Sequence, residues 1–487
     1  MTATHKRFLA AFFIFCLATA MPRALAQPAQ APAGKVYPQD AVRADFKYLY
    51  ETLAAAHYDL YAYQSRDAYD RYYEELSAAI DGPMSRLEAV RLFTPFVTFG
   101  KVGHARIDFP VQDYIAYVLS GGTLLPLDIR VEDGRVLVAH NYSGVAALAP
   151  GTELLALNGR PATDWLERIG RLVSAERPYM AHAQLESMFP RLAWLDMGEV
   201  DAFEIVVRSR AGDEATFMVD AVPAMELEEH KGARERQQHS RKAHMLPDGI
   251  AYLRPGPFYA TGESESLETF KAFVDEAFQR FDAAGATDLV IDLRNNPGGD
   301  NSFSDPMIAW FADEPFSFAS EFIVKASART REVLEGLAEE YPGGISAQML
   351  RAMTQHEDGA RFSFEIPKAE RRDPGFSGRV WALVNRRSYS NATTVAAIIQ
   401  DYGFGTILGE ETADVPTSHA SSAQFTLPST GIVVTYPKAY FVRPNGDEAL
   451  QGVRPDHALR FPTVPVEGDK VLREALEFIV SQRGGQD

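Results

Sequence analysis

The sequence predicts a multidomain α/β protein, and three patterns of apolar residues support that fold class. From Gly249 onward, short apolar runs of strand length alternate with amphipathic helices, the order typical of an α/β core, which we place at 246–470. Upstream, residues 121–175 alternate with the period of a strand, whereas residues 38–120 keep helical spacing. The chain has 487 residues, 46% of them hydrophobic and 23% charged, which is enough for about three domains with apolar cores.

The first 26 residues have the composition of a secretory signal peptide. Lys6 and Arg7 precede the apolar run 8–20, and the small residues 24–26 form a cleavage site. An apolar run of ~13 residues is short for a membrane span. The only cysteine, Cys16, lies inside this segment, so the mature chain is expected to contain no disulfide and no thiol nucleophile. The sequence therefore predicts an exported protein, periplasmic or secreted.

Charge and spacing argue against several classes of partner. Cleavage after residue 26 removes three positive charges and no negative one, which takes the formal net charge from −18 to −21. Such a chain is poorly suited to nucleic acid or to an anionic membrane surface. We find no other apolar stretch of spanning length, so no stable membrane insertion of the mature chain is expected. His230, His239 and His244 keep no metal-ligand spacing, and we expect neither a metal nor a cofactor.

Residues 38–120 predict a helical N-terminal module. Ser85 and Glu88 have the spacing of a capping box for one of its helices. The tyrosines of this module recur at helical spacing, which favours core and rim positions over a binding surface. The module ends in Gly103-His104. A lone histidine is usually structural, but the adjacent glycine and the helix-to-strand junction make His104 a candidate functional residue.

The middle of the chain predicts a β module followed by a connecting region. Asp133-Gly134 and Asn158-Gly159 have the residues of tight hairpin turns. A helix is expected at 163–172. In the connecting region, 176–245, the pattern predicts a strand pair around Gly212 and a densely charged, exposed connector over 226–244.

Two strand–turn–helix units dominate the core. Residues 289–293 form a branched apolar run that suits a strand buried on both faces, and the turn 295–299 follows with Pro and two glycines. The strand 381–384 leads similarly through a polar turn to a helix that Gly403 terminates. Ser390 thus lies at a helix N-terminus, where it could be an ordinary N-cap or, with a base and an oxyanion hole, a nucleophile.

Five segments in this order resemble the tail-specific, or C-terminal-processing, serine proteases, and more particularly their tricorn-core-like branch. The resemblance covers most of residues 38–460. It implies a crotonase-like spiral α/β core, a helical N-terminal module and a PDZ-like module at 121–175. The matching segments are GIAYLRPGPF at 249–258, DLVIDLRNNPGG at 288–299, SYSNATTVAAIIQDYG at 388–403, GEET at 409–412 and GVRPD at 452–456.

The resemblance also implies residue roles for acyl transfer. Ser390, the second serine of the Ser-x-Ser pair, would be the nucleophile, with Ser388 as its competitor. His104 would be the general base. An oxyanion hole would come from the backbone N–H of Gly298 or Gly299 together with Asn391. Glu448 is the nearest candidate for the acidic residue, although it lies one place before the family position, where Ala449 stands.

Other residues remain open as alternatives. His419 is a second candidate base. The Ser-Lys branch of the family has a lysine where this chain has residues 414–417, so a Ser-Lys dyad is not expected, and Lys438 is interpreted as a surface or ion-pair residue. In the family, Asp401 would support the nucleophile helix. Residues 325–375 would form a polar insertion that could be a lid, a pro-region or simply surface.

The predicted function is therefore an exported serine endopeptidase acting on unfolded or extended polypeptides. An inactive relative that binds peptides or other ligands is the main alternative, because fold alone does not give activity. A scaffold that recruits peptides through the PDZ-like segment is a third.

Overall fold

The computed structural model describes residues 34–262, 264–340, 342–464 and 466–483. The predicted signal peptide lies outside these ranges. The fold is a mixed α/β architecture with several sheets, as the sequence predicts for the class. No helix within the described ranges is both long enough and apolar enough to cross a membrane.

The N-terminal region packs helices around an aromatic core. Phe46 stacks on Phe93, and Phe96 meets Phe46 edge-on, so the helical spacing seen in the sequence becomes a buried stripe. Ser85 and Glu88 form the predicted capping box. The elements are β1 (Val36–Tyr37), α1 (Gln39–Ala56), α2 (Arg66–Ala78), β2 (Met84–Ser85), α3 (Arg86–Thr98), β3 (Arg106–Ile107) and α4 (Val111–Leu119).

The next region is built on an antiparallel sheet. Its strands follow the order β10-β9-β7-β6-β5, with β8 paired to β7. Asp133-Gly134 and Asn158-Gly159 make the two predicted turns with positive φ at every position. The elements are β4 (Thr123–Leu124), β5 (Leu127–Glu132), β6 (Arg135–Asn141), β7 (Glu153–Leu157), β8 (Arg160–Pro161), α5 (Ala162–Gly170), α6 (Pro178–Met197), β9 (Ala202–Arg208), β10 (Glu214–Asp220), β11 (Val222–Pro223) and α7 (Ala224–His239).

Helix α7 differs from the prediction of an exposed connector over 226–244. Two of its charges are buried and paired: Glu228 binds Arg191 at 2.5 Å, and Lys231 binds Asp128 at 2.6 Å. Both acceptor carboxylates are buried. The prediction of an exposed segment was therefore wrong for these residues. The side chains that pair with them belong to distant elements of the chain, so the local run of charges could not reveal the pairing.

The core contains a six-stranded sheet of order β12-β13-β14-β17-β18-β21, in which only β12 runs antiparallel to its neighbour. Alternate residues of β14 face opposite layers: Leu289 and Ile291 pack against α8 and α12, and Val290 packs against α13. The elements are β12 (Lys242–Leu246), β13 (Ile250–Arg254), α8 (Leu267–Ala283), β14 (Asp288–Asp292), α9 (Asn301–Ile308), β15 (Glu321–Lys325), α10 (Ala328–Glu340), α11 (Ile345–Met353), β16 (Arg361–Ser363), β17 (Arg379–Val384), α12 (Asn391–Asp401), β18 (Thr406–Gly409), β19 (Ser418–Thr426), β20 (Val433–Val442), β21 (His457–Ala458) and α13 (Lys470–Ser481).

A second core sheet joins the N-terminal region to the rest. Its order is β16-β15-β20-β19, and β3 pairs with β20, so that Ile107 lies opposite Val434. The segment 325–375 contributes β16 to this sheet. At the start of that segment, Lys325 donates to the carbonyl of His57 at 2.8 Å. The pairing of β3 brings the residues just before it, including His104, to the core.

Candidate active site

Ser390 occupies a sharp turn between β17 and α12. Its φ of 51° and ψ of −124° are unusual for a residue with a side chain, and such strain is typical of functional sites. The Ser390 side chain makes no capping hydrogen bond to the helix and is half-buried. Ser390 is therefore not an ordinary N-cap, because neither its backbone nor its hydroxyl fits that role.

Ser388 has a structural role. Its side chain is fully buried, donates to the carbonyl of Leu293 at 2.8 Å and accepts from the N–H of Asn385 at 3.0 Å. These bonds join the ends of the two neighbouring parallel strands β14 and β17. Of the two serines in the pair, Ser390 is the one whose hydroxyl faces His104.

His104 lies in the loop between α3 and β3 and is buried. Its Nε2 is 3.4 Å from the Oγ of Ser390, and its ring stacks on Tyr389 with centroids 5.6 Å apart. Burial, and then the charge of Arg106, lower the pKa of His104 to about 4. The imidazole is thus neutral at pH 7, which is the form that can accept a proton from serine.

The turn after β14 meets the nucleophile turn at the carboxyl edge of the sheet. A Cβ on Gly298 would lie 2.7 Å from the N of Asn391 and 2.8 Å from the Cβ of Ser390, so the two backbones touch. The N–H of Gly298 is already bound to Asn296 Oδ1 at 2.9 Å. Within the described chain, the N–H groups of Gly299 and Asn391 donate to no partner. Of the predicted oxyanion donors, these two are the ones left free.

The structure does not bring Glu448 to His104. The Glu448 carboxylate accepts from the hydroxyl of Tyr440 at 3.1 Å, at an exposed position. The Nδ1 of His104 is buried, and among the described residues no group is hydrogen-bonded to it. The assignment of Glu448 as the orienting acid stays a prediction that this geometry does not support.

Two carboxylates that the sequence did not single out lie against the pair. Asp414 Oδ2 accepts the N–H of Ser390 at 2.5 Å, and Glu176 Oε1 accepts the N–H of Gly103 at 2.8 Å. Burial raises the pKa of Asp414 to about 6. Burial and then the Asp414 charge raise the pKa of Glu176 to about 8. Asp414 lies two residues after the GEET segment and could have been suspected from that position, whereas Glu176 gave no signal.

Among the described residues, neither of the remaining candidate bases is hydrogen-bonded to Ser390 or His104. His419 is buried against Tyr58 and Tyr440, with ring centroids 5.7 Å and 5.0 Å away. Lys438 is buried and donates to the carbonyl and hydroxyl of Ser421, both at 2.8 Å, so its interpretation as a surface or ion-pair residue was wrong. These bonds fix it to the adjacent strand of its own sheet.

Asp401 anchors the far end of helix α12. Its carboxylate binds the guanidinium of Arg443 with distances of 2.5 Å and 2.9 Å, and both side chains are buried. This ion pair ties the nucleophile helix to β20, the strand with which β3 pairs.

Comparison with known proteins agrees with this geometry. Residues 250–459 match the sequence profile of peptidase family S41. The core is thus similar in sequence to peptidase family S41. The resemblance to tail-specific proteases is thereby confirmed at the level of the family, and the protein is a serine-type peptidase. No curated protein matches the chain in sequence.

Solved structures share the overall fold. Mature CPAF complexed with lactacystin aligns with a TM-score of 0.64 and 14% identity, covering 91% of this chain and 97% of that one. Mature CPAF alone gives 0.63 and 15%, covering 92% and 99%. The photosystem II D1 C-terminal processing protease gives 0.43 and 16%, covering 87% and 95%. At such identities the likeness to CPAF shows a common fold.

Proposed function

We propose that the protein is an exported serine endopeptidase that cleaves unfolded or extended polypeptides through an acyl-enzyme on Ser390, with His104 as general base. The observation that carries the proposal is the 3.4 Å approach of His104 Nε2 to Ser390 Oγ, in a turn strained at the serine. A 3.4 Å separation is long for a hydrogen bond, but such catalytic contacts commonly tighten when substrate binds.

In this mechanism His104 takes the proton of the Ser390 hydroxyl while Oγ attacks the scissile carbonyl carbon. The free N–H groups of Gly299 and Asn391 would stabilise the oxyanion, and the N-terminus of α12 adds a favourable dipole. The imidazolium then gives its proton to the leaving amine, which departs and leaves the acyl-serine. Water, deprotonated by the same histidine, hydrolyses the ester and restores Ser390.

Two finer assignments belong to the proposal. The core would be of the crotonase-like spiral type, and the antiparallel β region would be a PDZ-like module that binds extended peptides by strand addition. CPAF, the relative of similar fold, is seen complexed with lactacystin. Lactacystin is therefore a suitable first probe of whether this cleft also binds that compound.

Export would follow from the segment 1–26. We expect the mature chain to begin at Gln27 and to be recovered from the periplasm or medium. N-terminal sequencing of the protein expressed in a Gram-negative host, with its own leader, measures this directly. A protein that begins at Met1 in the cytoplasmic fraction would contradict export and leave the peptidase chemistry untouched.

The catalytic proposal is tested with mature protein acting on fluorescein-labelled casein. Ser390→Ala and His104→Ala are each expected to lower kcat by at least about 10³-fold, because the nucleophile and its base act as a unit. Ser120→Ala and His230→Ala, at exposed sites, serve as matched controls. A fluorophosphonate should label the wild type on Ser390 and leave Ser390→Ala unlabelled.

The alternative of an inactive binding relative has one observation in its favour, the unpartnered Nδ1 of His104. It predicts that the wild type releases no peptide, takes up no fluorophosphonate and binds casein as tightly as Ser390→Ala does. Activity that persists in His104→Ala but not in Ser390→Ala would instead place the base elsewhere.

A further inference from the structure

The loop 174–177, between α5 and α6, holds the backbone on both sides of His104. Glu176 Oε1 accepts the N–H of Gly103 at 2.8 Å, one residue before the histidine. The Ser174 hydroxyl donates to the carbonyl of Ala105, one residue after it. The peptide that carries the base is thus clamped at two points by a single short loop.

The same loop also holds the segment behind the nucleophile. Arg177 donates to the carbonyl of Thr412 at 2.6 Å and to that of Ala413 at 3.0 Å. The next residue, Asp414, is buried and accepts the N–H of Ser390 at 2.5 Å and that of Val415 at 2.9 Å. One loop therefore connects the backbone of the base with the backbone of the nucleophile.

The two carboxyl groups share one buried environment. Burial raises the pKa of Asp414 to about 6, and burial followed by the Asp414 charge raises the pKa of Glu176 to about 8. Arg177 is the cation that faces both. Burial and then the charges of Asp414 and Glu176 raise the pKa of Tyr389, and burial and then the charge of Glu176 raise the pKa of Tyr63. At pH 7 the pair as a unit therefore carries about one negative charge.

We propose that Glu176 and Asp414 are the positioning residues of this site: Asp414 holds the strained backbone of Ser390, and Glu176 holds the peptide that carries His104. They supply the acidic support that the family resemblance led us to expect from Glu448. This inference rests on the proposed peptidase function, because it assigns how the Ser390–His104 pair is kept in line. Misplacing either partner by about 1 Å can cost on the order of 10²-fold in rate.

Ionisation of Glu176 should loosen the arrangement. Above about pH 8, two negative charges would face each other in a buried space, and the cation that faces both, Arg177, is also bound to Glu411 at 2.5 Å. The repulsion pushes the loop 174–177 and the Asp414 segment apart, and with them the base and the nucleophile. The wild-type rate should therefore fall on the alkaline side of its pH profile.

The experiment compares kcat, KM and pH profiles of the mature protein on labelled casein. Glu176→Ala and Asp414→Ala are expected to lower kcat about 10–100-fold, with KM changing by less than about threefold. Glu176→Gln should keep at least about a third of the wild-type kcat at pH 7 and should lose the fall above pH 8. Asp414→Asn, which keeps an acceptor oxygen, should recover most of what Asp414→Ala loses. Glu199→Ala, at an exposed site, is the matched control.

Glu448→Ala provides the direct contrast. If it lowers kcat more than Glu176→Ala does, or if Glu176→Gln keeps the alkaline fall, this assignment is overturned while the peptidase function stands. A wild type that releases no peptide overturns the proposed function and this assignment with it. Urea unfolding midpoints of all variants separate loss of position from loss of fold.

Discussion

The two strand–turn–helix units of the core solve the same geometrical problem with different residues. Strands β14 and β17 are parallel neighbours, and each turns sharply at the same edge of the sheet. After β14 the positive φ falls on Asn295, a residue type that tolerates it, and on Gly298 and Gly299, whereas after β17 it falls on Ser390. Glycine is used where two backbones must touch. A strained serine is used where a side chain must face His104, so the two turns meet different requirements, contact between backbones at Gly298 and placement of a hydroxyl at Ser390.

The largest effect should come from filling the glycine turn. In Gly298→Ala the new Cβ would lie 2.5 Å from the carbonyl O of Tyr389, at a φ of 86°. We expect the free energy of unfolding to fall by about 3 kcal/mol and kcat by at least about 10²-fold. Urea unfolding and casein cleavage measure both.

Gly403→Ala is the matched control, because it has a φ of 74° but open space around a Cβ. It should cost only about 1 kcal/mol. Equal losses in the two variants would mean that backbone strain alone, and not contact between the turns, requires glycine at position 298.

A smaller effect is expected from the other serine of the pair. Ser388→Ala removes a buried hydroxyl that bridges Leu293 and Asn385, so two buried polar groups lose a partner. The free energy of unfolding should fall by about 1–2 kcal/mol. If the folded variant instead lost activity as completely as Ser390→Ala while keeping its stability, Ser388 would have to be the nucleophile.

The smallest effect concerns strain at the nucleophile itself. Ser390→Ala keeps a Cβ at a φ of 51°, whereas Ser390→Gly removes it. Both variants should be inactive, but the glycine variant should be more stable than the alanine variant by about 1 kcal/mol. Equal unfolding free energies would show that the turn is not strained by its side chain.

Local patterns made most of the fold predictable. The branched apolar run of β14, the glycine after α12 and the capping box of α3 each depend on neighbours a few residues away, and the structure shows all three. The adjacent glycine and the helix-to-strand junction made His104 a candidate, but only the family resemblance gave it the role of general base, since a single histidine carries little information by itself.

Contacts between residues that are far apart in the sequence could not be predicted from it. Glu176 meets Gly103 across 73 positions, and Asp414 meets Ser390 across 24 positions in an unrelated loop. No spacing rule connects such residues, because only the packing of the sheets brings them together. The same reason explains why helix α7 was expected to be exposed: its partners, Asp128 and Arg191, belong to earlier elements.

The pairing of β3 with β20, which places His104 beside the core, has a consequence for the order in which the site forms during synthesis. The base and the nucleophile are 286 positions apart, and β3 can pair only with β20, which ends at Val442. During synthesis, His104 is therefore made well before both Ser390 and the strand that brings the two residues together. If the proposed mechanism holds, a chain that has not yet formed β20 has no assembled Ser390–His104 pair, and folding of this sheet controls when activity begins.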